Sequence, residues 1–147
     1  MTPSYIYCHR VTFDETNIVG NVYFAHYLHW QGHCREHFLA EHAPGVLADL
    51  STGLALATVR CSAEFYSESS ALDVIEVHMT LEHITGNRIG MGFEYRRPGA
   101  QAGLLARGSQ TVACMRRTSQ GLEIATVPAE LRLALAPFAA SGGAVQA

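Results

Sequence analysis

One long helical segment, followed by nothing but strands until the chain's last turn, constrains this protein more than any other feature. At roughly 100° per residue, Phe24, Tyr27, Leu28, Gln31, Cys34, Phe38 and Leu39 share one face of a helix from Phe24 to about His42. Pro44-Gly45 ends its regular part. Four strand-like runs come next, about Gly53–Tyr66, Val74–His83, Arg88–Arg96 and Leu104–Arg117. In the second of them Ile75, Val77, Met79 and Leu81 alternate with Glu76, His78, Thr80 and Glu82, the period of a half-buried strand. Gly86-Asn87 and the stretch Pro98 to Gly103 mark turns. Ahead of the helix stand a first strand, Tyr5–Phe13, and a polar loop broken by Gly20. Pro128 opens a short C-terminal helix to about Ala136.

A lone helix in front of an antiparallel meander can bury its stripe only against that sheet. The strand face best suited to receive it is Ala55, Ala57, Val59, Cys61 and Ala63, whose small side chains permit close approach. A sheet wrapped around one central helix is the hotdog architecture, an α+β fold. The chain of 147 residues reads as one domain over residues 1–140, with a disordered tail at 141–147. A mild net charge of -3 and the lack of any basic run exclude a nucleic-acid partner. No apolar run is long enough to span a membrane, and the polar N-terminus is not a signal peptide. With only 16% charged residues, the chain exposes more apolar surface than a small monomer hides, so a homo-oligomer, dimer or tetramer, is expected. Cys8, Cys34, Cys61 and Cys114 are scattered, which argues against a thiolate metal site and fits a reducing cytoplasm.

Arg35 projects from the middle of the helix's apolar stripe. A guanidinium cannot shed its proton, so it needs an anionic or strongly polar partner. No carboxylate shares its stripe, since Glu36 and Glu41 fall well round the helix. The partner is either a carboxylate elsewhere in the fold or an oxygen of a bound substrate.

The run from Val11 to Tyr27, with Asp14, Glu15, Asn17, Gly20 and the aromatic stretch Tyr23-Phe24-Ala25-His26-Tyr27, resembles the signature of hotdog thioesterases of the 4-hydroxybenzoyl-CoA type. Asn17 stands where that family carries an acidic residue. Asn17 and Arg35, together with Thr58-Val-Arg-Cys-Ser-Ala-Glu-Phe65, are similar to a narrower group, the thioesterases of enediyne polyketide biosynthesis. The resemblance implies hydrolysis of a long polyene β-ketoacyl thioester carried on the acyl carrier protein of an iterative polyketide synthase, with no cofactor and no metal.

Thioester hydrolysis needs a nucleophile, donors for the developing oxyanion and a proton for the leaving thiol. An asparagine amide is not basic, so Asn17 suits an oxyanion donor or water-orienting group, or else a simple Asx-turn or helix cap. Arg35 supplies charge beside the thioester carbonyl or the neighbouring β-keto oxygen. Tyr27 lies two turns before it and can donate a hydrogen bond. Thr58 and Arg60 point the same way if their strand is regular, with Arg60 free to meet a carrier-protein carboxylate instead. Backbone N–H groups around Gly20 can complete the oxyanion hole, and Phe24 and Phe38 offer rings to a flat conjugated chain. Asp14 and Glu15 compete as the missing base. Glu64 faces away from Ala63 and Phe65, where it would pair with an arginine.

Other chemistries are weakly represented. His26, His29, His33 and His37 form one helical row that contains the i, i+4 spacing of a zinc pair, but the row lies beside Trp30, opposite the apolar face, and no cysteine joins it. There is no Gly-x-Ser-x-Gly elbow. An acyl-CoA thioesterase would need basic residues for the CoA phosphates, and Arg96-Arg97 and Arg116-Arg117 are the only adjacent pairs. A non-catalytic acyl-binding module, with Arg35 clamping a carboxylate or phosphate, is the remaining alternative.

Overall fold

The computed structural model describes residues 3–99 and 103–145, with side chains described as far as residue 140. Strand β1 (Tyr5–Arg10) leads through a 3-10 turn (Phe13–Glu15) to helix α1 (Ala25–His42) and a short helix α2 (Pro44–Asp49). Strands β2 (Leu54–Phe65), β3 (Val74–Thr85), β4 (Arg88–Arg96), β5 (Leu104–Thr118) and β6 (Gly121–Ile124) follow, then α3 (Ala129–Leu135) and β7 (Ala139–Val145). The expected elements are all present. The first strand is shorter than expected because the chain turns at Phe13–Glu15, where Thr12 and Glu15 form a capping box. Pro44 does not stop the helical chain; it occupies the first turn of α2, where its missing N–H costs nothing.

The sheet runs β1-β3-β4-β5-β2 and curls around α1, with β6 added beside β5 and β7 parallel to β3. This is the hotdog fold. Residues 141–145, read from sequence as the start of a disordered tail, instead continue strand β7, while 146–147 lie outside the described residues. The core is the helix face against the sheet: Tyr27, Trp30, Cys34 and Phe38 from α1 meet Ile75, Val77, Met79 and Leu81 of β3 and Phe93 and Tyr95 of β4. Those four β3 positions are the ones its alternation picks out.

Three expectations about facing fail, each for a physical reason. The buried stripe of α1 is centred on Tyr27, Cys34 and Phe38, so Arg35 lies on its flank and not in its middle. Trp30, read as belonging to the histidine face, is fully buried because β1 curls past that side: His9 stacks on Trp30 at 4.7 Å and Tyr7 on His37 at 4.7 Å. The third failure comes from a β-bulge. Thr58 pairs with Val112 but Arg60 with Thr111, so Val59 is an extra residue in β2. Before the bulge Leu54 and Leu56 face the core, and after it the alternation is inverted. A single face running from Ala55 to Ala63 therefore does not exist, and Ala55 and Ala57 point away from the helix.

Candidate active site

Arg35 is the centre of what the fold assembles. Its Nη1 donates to Gln110 Oε1 at 2.8 Å, with Thr58 Oγ1 at 3.4 Å. Both acceptors are neutral, and among the described residues no carboxylate pairs with it. Burial presses the Arg35 guanidinium below its ordinary pKa, with Glu36 opposing. The charge persists all the same, because an arginine does not deprotonate in a protein. Gln110, from β5, is buried, and its Nε2 faces Oε1 of the fully buried Gln31 at 3.5 Å. Gln31 Nε2 donates in turn to the Ser62 carbonyl at 3.0 Å. Gly108 makes room for this row, since a Cβ there would come within 2.5 Å of Gln31 Nε2. Sequence reasoning missed Gln110. The available signal was a glutamine amid the apolar residues of a central strand.

Beside Arg35 lies an apolar slot between helix and sheet, walled by Phe38, Leu39, Leu56, Met91 and Leu135. Its free volume is about 10 Å³, room for a single water. Phe38 lines the slot. Ala55 and Ala57, expected to face the helix, lie on the opposite face of β2 from Leu56, and larger side chains close the space.

The other sequence candidates are spread out. Asn17 and Gly20 belong to a tight surface hairpin: Gly20 N donates to the Asn17 carbonyl at 2.9 Å, Asn17 N to the Asn21 carbonyl at 2.7 Å, and Asn17 Nδ2 to Asn21 Oδ1 at 3.2 Å. Gly20 takes φ +97°, a conformation that favours glycine. No hydrogen bond joins this loop to Arg35 within one subunit. Tyr27 donates its hydroxyl to Ser69 Oγ at 3.1 Å inside the core, and burial raises its pKa. It is turned to Ser69 and not to Arg35. Phe24 is 55% exposed, 6.5 Å from Phe65. The bulge separates Arg60 from Thr58, and Arg60 is exposed.

The competing acids are occupied. Asp14 accepts from the Thr12 hydroxyl. Glu15 is 8% exposed and accepts from His9 Nε2 at 2.8 Å, Trp30 Nε1 at 2.9 Å and Thr12 N at 2.9 Å. Burial alone would raise its pKa, but the hydrogen bonds from His9, Thr12 and Trp30 and the His9 charge outweigh it and hold the carboxyl at about 2. Such a group is a fixed acceptor and a poor base. Glu64 does not pair with an arginine as expected: Arg107, opposite it, turns to Glu94 at 3.1 Å, and Glu64 accepts from Tyr66. Burial pushes the Cys34 thiol up to about 12, which removes it as a nucleophile. Among the described residues no group of His, Cys, Asp or Glu is arranged to hold a metal ion, and no helix is long and apolar enough to cross a membrane. Three of the four doubled arginines answer to the fold itself: Arg96 pairs with Glu94 at 2.9 Å, Arg116 with Asp49 at 2.8 Å, and Arg97 donates to the Glu68 carbonyl at 2.7 Å.

The model of the thioesterase-like superfamily matches residues 11–135, which is most of the chain and includes the loop, α1 and the sheet. The chain belongs to that superfamily. The dynemicin thioesterase, whose crystal structures are described as revealing induced-fit and allosteric effects upon polyene binding, is 64% identical, with a TM-score of 0.90 over 94% of this chain and 99% of that one. At that likeness the present thioesterase is a hydrolase of thioester bonds, which sets aside the non-catalytic module. More distant structures share the fold alone. A 1,4-dihydroxy-2-naphthoyl-CoA thioesterase from Synechocystis is 22% identical, with a TM-score of 0.80 over 90% of this chain and 95% of that one. The 4-hydroxybenzoyl CoA thioesterase from Pseudomonas sp. strain CBS-3 is 18% identical, with a TM-score of 0.75 over 90% and 99%. No curated protein matches the chain.

Proposed function

We propose that this thioesterase releases a long polyene β-keto acid from the acyl carrier protein of an iterative polyketide synthase in enediyne biosynthesis. The observation that carries this reading is the 64% identity, over 94% of the chain, to a dynemicin thioesterase studied with bound polyene. The geometry supports it through Arg35, a half-buried cation held by neutral groups at the mouth of an apolar slot. Water attacks the thioester carbonyl and gives up a proton, the oxyanion develops beside Arg35, and collapse yields the acid and expels the thiolate, which takes up that proton. The guanidinium also lies within reach of a second oxygen, the β-keto group, once the acyl chain has entered. With about 10 Å³ free, the slot must open to receive that chain, and the long side chains of Leu39, Met91 and Leu135 are the walls that move. Asn17, whose amide is engaged only with Asn21, serves as donor to the oxyanion or orients the water. A CoA ester is the weaker alternative, because three of the four doubled arginines are taken up by Glu94, Asp49 and a backbone carbonyl, which leaves Arg117 exposed beside them.

Matched thioesters with and without the 3-keto group test this. The β-ketoacyl carrier-protein substrate is expected to be hydrolysed at least about tenfold faster than the saturated one of equal length, since a site with an unsatisfied donor penalises the analogue that lacks its acceptor. Equal rates would remove Arg35 from substrate recognition and restore the CoA alternative.

Assembly belongs to the same reading. Strand β2 is a twelve-residue sheet edge, and Ile18, Val19, Phe24, Val59 and Phe65 are exposed on β2 and in and beside the loop. A second copy covering this surface brings the Asn17 loop of one subunit toward the helix of another, which one subunit alone does not do. Sedimentation at micromolar concentration is expected to show a dimer or tetramer. An active monomer there would refute the shared site.

A further inference from the structure

The row that ends on Arg35 runs in one direction. Arginine has only donors, so the oxygen of Gln110 must face it. The Gln110 amide nitrogen then faces Gln31, whose oxygen must accept, and the Gln31 nitrogen is left to donate to the Ser62 carbonyl. Each amide flip is thereby decided by the next, and the row ends on a main-chain acceptor in β2. Gly108, the residue whose Cβ would strike both Gln31 Nε2 and the Ser62 oxygen, keeps the channel for it open. The two glutamines that make up the path are buried and neutral.

A carboxylate at position 110 would hold Arg35 at least as firmly as an amide does, and charge-assisted bonds are the stronger kind. It would also neutralise the charge. Glutamine has the same shape and gives the hydrogen bond without the neutralisation. We propose that Gln110, set by Gln31, is the positioning residue of the site: it aims the Arg35 guanidinium while leaving its full charge for the substrate. This rests on the role given to Arg35 in thioester hydrolysis.

Two isosteric changes test it, with a readout that does not depend on turnover. Gln110→Glu is expected to fold, somewhat less stable than wild type because a carboxylate oxygen replaces the amide that donates to Gln31 Oε1, and to lose at least about tenfold in kcat with little change in KM, because the charge acts on the developing oxyanion. Its activity should recover as pH falls and the new carboxyl is protonated, an acid-side rise that the wild-type enzyme lacks. Gln110→Met keeps the volume but cannot accept. It should lose kcat by a similar factor without the acid-side rise. In nitrogen-15 spectra the Arg35 guanidinium should show hindered, resolved Nη signals in the wild type and averaged ones in Gln110→Met. Wild-type kcat in Gln110→Glu, or unchanged guanidinium signals in Gln110→Met, would overturn the proposal. A wild-type protein with anchored Arg35 signals and no thioester turnover would instead refute the assigned reaction and leave the positioning intact.

Discussion

Replacing Arg35 with alanine is expected to lower thioester turnover by about 10²-fold or more, the scale seen when one oxyanion donor is removed. The guanidinium is half-buried and bonded to Gln110 Oε1 at 2.8 Å and Thr58 Oγ1 at 3.4 Å. Neither partner offsets its charge, so in a low-dielectric slot that charge acts strongly on a developing anion. The fold should survive, because the residue lies on the flank of the helix's buried face and the core is centred on Cys34 and Phe38. Arg35→Lys separates charge from geometry: an ammonium keeps the charge but loses the planar fork, and most of the loss should remain. Steady-state kinetics on a folded variant decide the matter, and turnover near wild type would place Arg35 outside the chemistry.

The second large effect is on stability. Glu15→Ala is expected to cost about 3 kcal/mol, since it strips the acceptor from the buried Trp30 Nε1–H, from the Thr12 N–H and from His9. Its carboxyl is held at about 2 against an ordinary 4.5. A folded-state pKa below the unfolded value means stability present above about pH 4.5 and lost as pH falls toward 2. That loss should amount to about 2 kcal/mol once solvent screening at the open edge of the pair is allowed for. Urea titrations at pH 7 and pH 3 can follow Trp30, the sole tryptophan and a direct partner of Glu15. In Glu15→Ala this acid-dependent component should vanish. A variant as stable as wild type at pH 7 would show that the His9–Glu15–Trp30 cluster is dispensable.

Periodicity and turn chemistry determined β1 to β5, α1 and α3 by themselves, but not α2, β6 or β7. The i, i+3, i+4 pattern marks α1, strict alternation marks β3, and a single helix before a meander leaves it nowhere to pack but inside the curl of the sheet. The loop motif with Arg35 pointed to the thioesterase family, while the sequence left open whether a carboxylate elsewhere in the fold pairs with the arginine, and the structure gives it the neutral Gln110 and Thr58.

What only the tertiary structure decided is facing. A pattern of period two reads through a bulge as though it were absent, so one extra residue at Val59 exchanged the faces of Ala55 and Ala57 and parted Thr58 from Arg60. A helical wheel shows one apolar stripe but not how far a sheet curls round it, which is why Trp30 went to the wrong side and Arg35 to the middle. Gln110 and Glu15 owe their roles to partners 75 and 15 residues away along the chain. No local pattern records such pairings, because a buried polar group is placed by the donors and acceptors that meet it in space.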